Sequence, residues 1–185
     1  MALAGTLHFL RGLAYIDDNL RSLASSRNQS FRPPAGSGPP APLMESGRFR
    51  VVSWNLHKGR SPDRTGARPQ MAEIVAELRR ARADAYLLQE VTPWQARQLV
   101  AEMGMPGYYS STLSWQGNLV LVHPGLAVDG DTQAFLNVDT APGDWGKALR
   151  VFRGYMTRGP RHEPRSGQAL QVRLPDGRGL TLWNT

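Results

Sequence analysis

Asn55 and Glu90 are the side chains best placed to do chemistry in this sequence, because each closes a run of apolar residues. Asn55 ends "FRVVSWN" and is followed by Leu56, His57, Lys58 and Gly59. Glu90 follows Gln89 at the end of "AYLLQE". An amide is poor in strands and costly to bury without partners. A carboxylate in such a place loses hydration unless it meets a cation or several donors. Two arrangements satisfy these groups. If the two runs are neighbouring strands, both side chains meet at one mouth, and a hard divalent cation such as Mg²⁺ takes oxygen ligands there together with water. Otherwise Glu90 pairs with an arginine and Asn55 caps a turn. His57 and Lys58 could touch a phosphate or lie in a solvated loop. Asn118 could line a site, although its neighbours favour a turn. Trp115, Tyr108 and Tyr109 could stack on bases, although packing in a core or loop suits them as well.

The elements that must hold these groups are legible from residue 48 onward. A strand over 48–55 is followed by a loop with Ser61-Pro62-Asp63 and Gly66. Pro69 suits the first turn of a helix, in which Met71, Ile74, Val75 and Leu78 share a face. Ala83-Asp84 ends it. "AYLLQEV" reads as a short strand covered on both faces. Pro93 opens a second helix, with Leu99, Val100 and Met103 apolar and Gly104 as its stop. Beyond Gly107 come short strand candidates, among them "NLVLVH", "LAVDGD", "QAFLNV", "LRVFRGYM" and the hairpin "QALQVRLPDGRGLTLWN". The order β-α-β-α followed by antiparallel strands indicates a layered α/β domain. The strands after residue 100 are expected to form one sheet with an exposed apolar inner face.

Residues 1–47 differ in character. Leu3, Leu7, Leu10, Leu13, Leu20 and Leu23 have mostly helical spacing, so 1–31 reads as an amphipathic helix or as a leader ahead of a true start at Met44. Residues 32–47 are rich in Pro and Gly and read as a linker. The domain proper is expected over 48–185.

The 185 residues suffice for one domain with a sizeable core. The absence of cysteine excludes disulfides, thiolate metal sites and thiol nucleophiles. The formal net charge of +7 favours anionic partners such as phosphates, nucleic acid or acidic lipid, though arginines scattered on a soluble surface would give the same total. No apolar run approaches the ~18 residues of a membrane span, and the first residues lack the pattern of a secretory signal. A cytoplasmic location is the expectation, and no feature points to a protein partner.

"FRVVSWNLHKGR", a helix and then "ADAYLLQEV" resemble the endonuclease/exonuclease/phosphatase superfamily, in which the first strand ends in W-N or Y-N and the next in Q-E. "GNLVLVHPG" is similar to the family's G-N-A-I-L-S segment, and "LTLWNT" to the start of its N-T-H-L motif. The resemblance implies a four-layer α/β/β/α sandwich, present here in part, that cleaves phosphate esters with Mg²⁺ or Mn²⁺. It gives Glu90 the role of metal ligand. Asn55 becomes a residue of the site floor that helps hold metal and phosphate. Arg165 falls near the place of a phosphate-contacting arginine, a role its bidentate fork suits. Nucleic acid is the first-choice substrate. A phospholipid or inositol-phosphate hydrolase, or a non-catalytic fragment, are the alternatives. The family's histidine after Asn-Thr, its Gly-Asp-Phe-Asn segment and its terminal Ser-Asp-His segment have no counterpart here. The expectation is therefore an N-terminal part of the domain that does not by itself turn over phosphodiesters.

Overall fold

The computed structural model describes residues 28–37, 47–57, 71–111, 116–136 and 165–185. The proposed helix over residues 3–23, the Met44 start, Lys58, the 61–66 loop, Pro69, Trp115 and the "LRVFRGYM" strand lie outside them.

Within the described residues the chain runs β1 (Gln29–Phe31), β2 (Val51–Asn55), α1 (Met71–Ala81), β3 (Ala85–Val91), α2 (Pro93–Met103), β4 (Gly107–Ser111), β5 (Gly117–Val122), β6 (Ala127–Phe135), β7 (Ser166–Arg173) and β8 (Gly179–Asn184). One sheet has five strands in the order β1-β4-β5-β3-β2, and a second has three in the order β6-β7-β8. β2 and β3 are parallel neighbours with Val51 opposite Ala85 and Asn55 opposite Gln89, as a strand–helix–strand crossover requires. The remaining pairings are antiparallel.

The helices cover one face of the five-stranded sheet. Ile74, Val75 and Leu78 of α1, and Ala96, Leu99, Val100 and Met103 of α2, pack with Tyr86, Leu88, Tyr109, Leu119 and Leu121. The other parity of the same strands builds a second core. Ala85, Leu87, Val120 and Val122 meet Leu170, Val172 and Leu182 across the gap between the sheets. Period-2 alternation thus feeds two cores from one central sheet, which explains why β3 and β5 read as nearly continuous apolar runs.

Local signals set the element ends. Thr92 caps α2 in a capping box with Gln95, Pro93 follows it, and Gly104 closes the helix at φ 62°. The Tyr86 hydroxyl donates to Leu78 O at 2.8 Å and accepts from Ala83 N at 3.0 Å, so one buried side chain closes the end of α1.

The strands after residue 100 divide between two sheets instead of forming one. β4 and β5 pair with β3 while β6, β7 and β8 fold across them, and the apolar face expected to lie open is the covered inter-sheet core. Burial of that face drives the division. "LAVDGD" and "QAFLNV" supply one strand, β6, with a register shift at Asp129 between Val128 and Gly130. The sheet also takes in β1, ahead of the Pro/Gly-rich stretch, paired with β4 from Gln29↔Tyr109 to Phe31↔Gly107.

Candidate metal and phosphate site

The site begins with a break in β3. Leu88 pairs with Leu119 of β5, but the next partnership is Val91 with Gly117, so three steps along β3 oppose two along β5. The extra residue makes a bulge, and Glu90 lies in it with φ 53°. A left-handed conformation is unfavourable for a residue with a Cβ and persists only when the surroundings enforce it. The bulge also changes parity. Leu88 and Val91 both face the helix-side core, which simple alternation forbids. Glu90 is thereby turned out of the ladder toward the strand ends. Gly117, the partner of Val91, has no room for a side chain on its β4 side, where a Cβ would lie 2.3 Å from Ser110 O.

Glu90 meets Asn55 at the carboxyl ends of the two parallel strands. Asn55 Nδ2 donates to Glu90 Oε1 at 3.1 Å. Asn55 Oδ1 accepts the backbone N–H of His57 at 2.9 Å. Asn55 therefore both closes a turn and orients the carboxylate, joining the two alternatives that the sequence left open. His57 Nδ1 lies 3.7 Å from Glu90 Oε2, with the imidazole 59% exposed and the carboxylate 33% exposed. Around this pair an open cleft of about 290 Å³ is lined by Asn55, Gln89, Glu90, Gln116, Gly117, Asn118, Leu136, Arg165, Ser166 and Thr185. The cleft thus unites Asn55, Glu90 and Arg165, with His57 at its rim beside Glu90.

Next to the carboxylate is a layer of amides, in which Asn118 and Asn184 are buried and Gln89 half-buried. Gln89 Nε2 donates to Asn184 Oδ1 at 2.6 Å, to Leu87 O at 2.9 Å and to Ser53 Oγ at 3.2 Å. Asn184 Nδ2 donates to Leu88 O at 3.1 Å and Leu119 O at 3.2 Å. Asn118 Nδ2 reaches Ser166 O at 2.8 Å and Asn184 O at 3.3 Å. Asn118 is a buried residue inside β5, so the turn reading of its sequence context is corrected. Its inward parity with Val120 and Val122 overrides the local turn signal. Tyr109 is fully buried in the helix-side core, as packing requires, and Tyr108 packs against the inter-sheet core.

Gln89 and Asn184 were given no role by sequence reasoning. The signal was present: Gln89, Asn118, Gln168 and Asn184 all share the parity of inward-facing apolar residues on their strands. Gln168 joins a second polar group by donating to Asp131 Oδ1 at 3.1 Å and Tyr108 O at 3.2 Å. Burial raises the pKa of the Asp131 carboxyl, opposed by hydrogen bonds from Gln168 and Asn28.

The donor set suits a hard divalent cation held by one carboxylate and otherwise by water or substrate oxygens, the manner in which Mg²⁺ is often bound. Glu90 lines the open polar cleft, with Oε1 bonded by Asn55 and Oε2 3.7 Å from His57 Nδ1. Asn55 presents Nδ2 to the carboxylate, with Oδ1 turned to His57 N, so it fits the part of an orienting donor better than that of an oxygen ligand. Among the described residues no group of three or more His, Cys, Asp or Glu could together hold a metal. None of the described helices is long and apolar enough to cross a membrane.

Solved structures share the fold. A mannosyl-6-phosphatase from Bacteroides thetaiotaomicron VPI-5482 superimposes with a TM-score of 0.53 at 13% identity, over 74% of this chain and 50% of that one. An endonuclease/exonuclease/phosphatase family protein from Bacteroides thetaiotaomicron gives 0.52 at 12% identity, over 73% and 49%. This chain spans about half the length of both. No curated protein sequence matches it. The model of the Endonuclease/Exonuclease/phosphatase family matches residues 52–180, from inside β2 to inside β8 and across both parallel strands of the site. The chain belongs to the endonuclease/exonuclease/phosphatase family.

Proposed function

We propose that this chain binds a divalent metal through Glu90 and the phosphate of an ester substrate beside it, as part of a metal-dependent phosphoester hydrolase. The observation that carries the reading is the bulge. A carboxylate kept at φ 53° at the mouth of a cleft, against a local energetic preference, is an arrangement that stability alone does not favour. When bound, Mg²⁺ or Mn²⁺ would supply Lewis-acid polarisation of the phosphoryl oxygens and neutralise developing charge. Asn55 keeps the Glu90 carboxylate oriented through Nδ2. Arg165 lines the same cleft, and an arginine is suited to bidentate contact with phosphate. His57, beside Glu90, is a candidate to move a proton or to contact phosphate at the exposed rim.

Nucleic acid is the substrate of first choice, supported by the net charge of +7 and the arginine in the cleft. The likeness to a mannosyl phosphatase, at 13% identity, supports the fold and leaves a nuclease, a sugar phosphatase and a phospholipid hydrolase on an equal footing. Turnover by residues 1–185 alone is expected to be slow, since the described cleft offers no His–Asp pair to activate water.

The test is Mn²⁺ binding followed by electron paramagnetic resonance, together with Mn²⁺-dependent hydrolysis of DNA, RNA, a sugar phosphate and a phosphoinositide. Glu90→Gln is expected to weaken Mn²⁺ binding, with any turnover falling alongside and nucleic acid the best substrate. Mn²⁺ binding untouched by Glu90→Gln would sink the reading. Glu90-dependent turnover confined to sugar phosphate or phosphoinositide would reassign the substrate class.

A further inference from the structure

The left-handed conformation of Glu90 needs something to hold it, and besides Asn55 a candidate comes from the other sheet. Asn184 lies at the end of β8, yet its side chain reaches across the inter-sheet space to the β3–β5 ladder. Its Nδ2 donates to Leu88 O and Leu119 O, the two residues of the last regular pair before the register breaks. Its Oδ1 accepts from Gln89, the residue immediately before Glu90, at 2.6 Å. One carboxamide therefore engages both strands at the root of the bulge and the side chain next to the carboxylate. Asn184 is itself held, since it is 1% exposed and its carbonyl accepts from Asn118 Nδ2. Bulges leave the ladder locally disrupted, and buried backbone groups beside them require partners.

We infer that Asn184 is a positioning residue for the Glu90 metal site, locking the β3 bulge from the facing sheet so that the carboxylate lines the cleft. The inference rests on Glu90 being the metal ligand. It assigns Asn184 no contact with metal or substrate. Outer partners that hold a ligand in place typically contribute 10–100-fold to metal affinity. A purely structural residue would change the melting temperature and leave the metal affinity of the folded protein unchanged.

The experiment is a double-mutant cycle on the full chain with Mn²⁺ alone as the probe. Mn²⁺ dissociation constants are measured for the wild type, Glu90→Gln, Asn184→Ala and the double variant, with melting curves for each. Asn184→Ser, which retains one donor, is measured alongside and carries the test if Asn184→Ala does not fold. Asn184→Ala is expected to weaken Mn²⁺ binding about 10-fold. Asn184→Ser should fall between it and the wild type. The loss should vanish in the Glu90→Gln background, because the effect runs through that carboxylate. Folded Asn184 variants with wild-type affinity would overturn the inference and leave Glu90 in place as ligand. A loss that persists in full in the Glu90→Gln background would also overturn it. Wild-type affinity in Glu90→Gln alone would instead remove the metal-site reading on which the inference stands.

Discussion

The two ends of β3 are built on opposite principles. At its amino end the strand keeps regular register with both neighbours from Ala85 to Leu88. Asp84 Oδ2 accepts Arg50 N at 2.7 Å, Asp84 O accepts His123 N at 2.8 Å, and the Tyr86 hydroxyl bonds both Ala83 and Leu78. At its carboxyl end the ladder with β5 breaks after Leu88, Glu90 adopts φ 53°, and the Asn184 carboxamide bonds Leu88 O and the Gln89 side chain. The regular end is satisfied by groups flanking its own sheet and by the end of α1. The broken end bonds Asn55, Leu56 N and the Tyr109 hydroxyl, and in addition a side chain from the second sheet, Asn184. The difference teaches where this molecule places local cost: before the amino end it falls on Arg82, at φ 46° where α1 ends and outside the ladder, whereas at the carboxyl end it falls on Glu90 inside the strand, where a carboxylate lines an open cleft.

The largest expected effect tests the regular end. Tyr86→Phe leaves Ala83 N and Leu78 O without their buried partner, and the loss should be about 1–3 kcal/mol by urea unfolding. Mn²⁺ affinity should not change, because the carboxyl end of the strand is untouched. A change in affinity as large as that in stability would show that the two ends are not separable.

At the broken end the sign should reverse. Glu90→Gly relieves the left-handed penalty while removing the carboxylate. Relief of ~1–2 kcal/mol, reduced by the greater chain entropy of glycine, should leave a gain of about 0.5–1 kcal/mol. Thermal melting is expected to rise as Mn²⁺ binding is lost. A fall in stability would mean that Asn55 and His57 hold Glu90 more strongly than its backbone resists.

The smallest effect concerns Asp131, a carboxyl remote from the bulge whose pKa is raised by burial. A raised folded-state value means a contribution to stability that is present below the unfolded value of 3.8 and is lost as pH rises through the folded value. Asp131→Asn should therefore melt higher than the wild type at neutral pH. The gap should close as pH falls through the folded value toward 3.8. A gap that is constant with pH would assign the effect to hydrogen bonding with Gln168 instead of to charge.

Much of this molecule is written in local pattern. The apolar faces of α1 and α2, the start of α2 at Pro93 and its stop at Gly104 follow from spacing and side-chain type. Asn55 and Glu90 stood out because polar groups at the ends of apolar strands need partners. The division of the later strands into two sheets could not be read the same way. Alternation states which residues face inward but not which strand lies across from them. The Glu90 bulge was equally hidden, since one extra residue in a ladder is defined only against the partner strand. Asn184 shows the limit most clearly. Its parity with Leu182 marks it as buried, yet its partners Gln89 and Leu88 are 95 and 96 residues away in the chain. The sequence by itself determined which side chains must be buried and which need polar partners. Only the tertiary structure decided which partners they found, because hydrogen bonding acts over a few ångströms and separation along the chain says nothing about that distance.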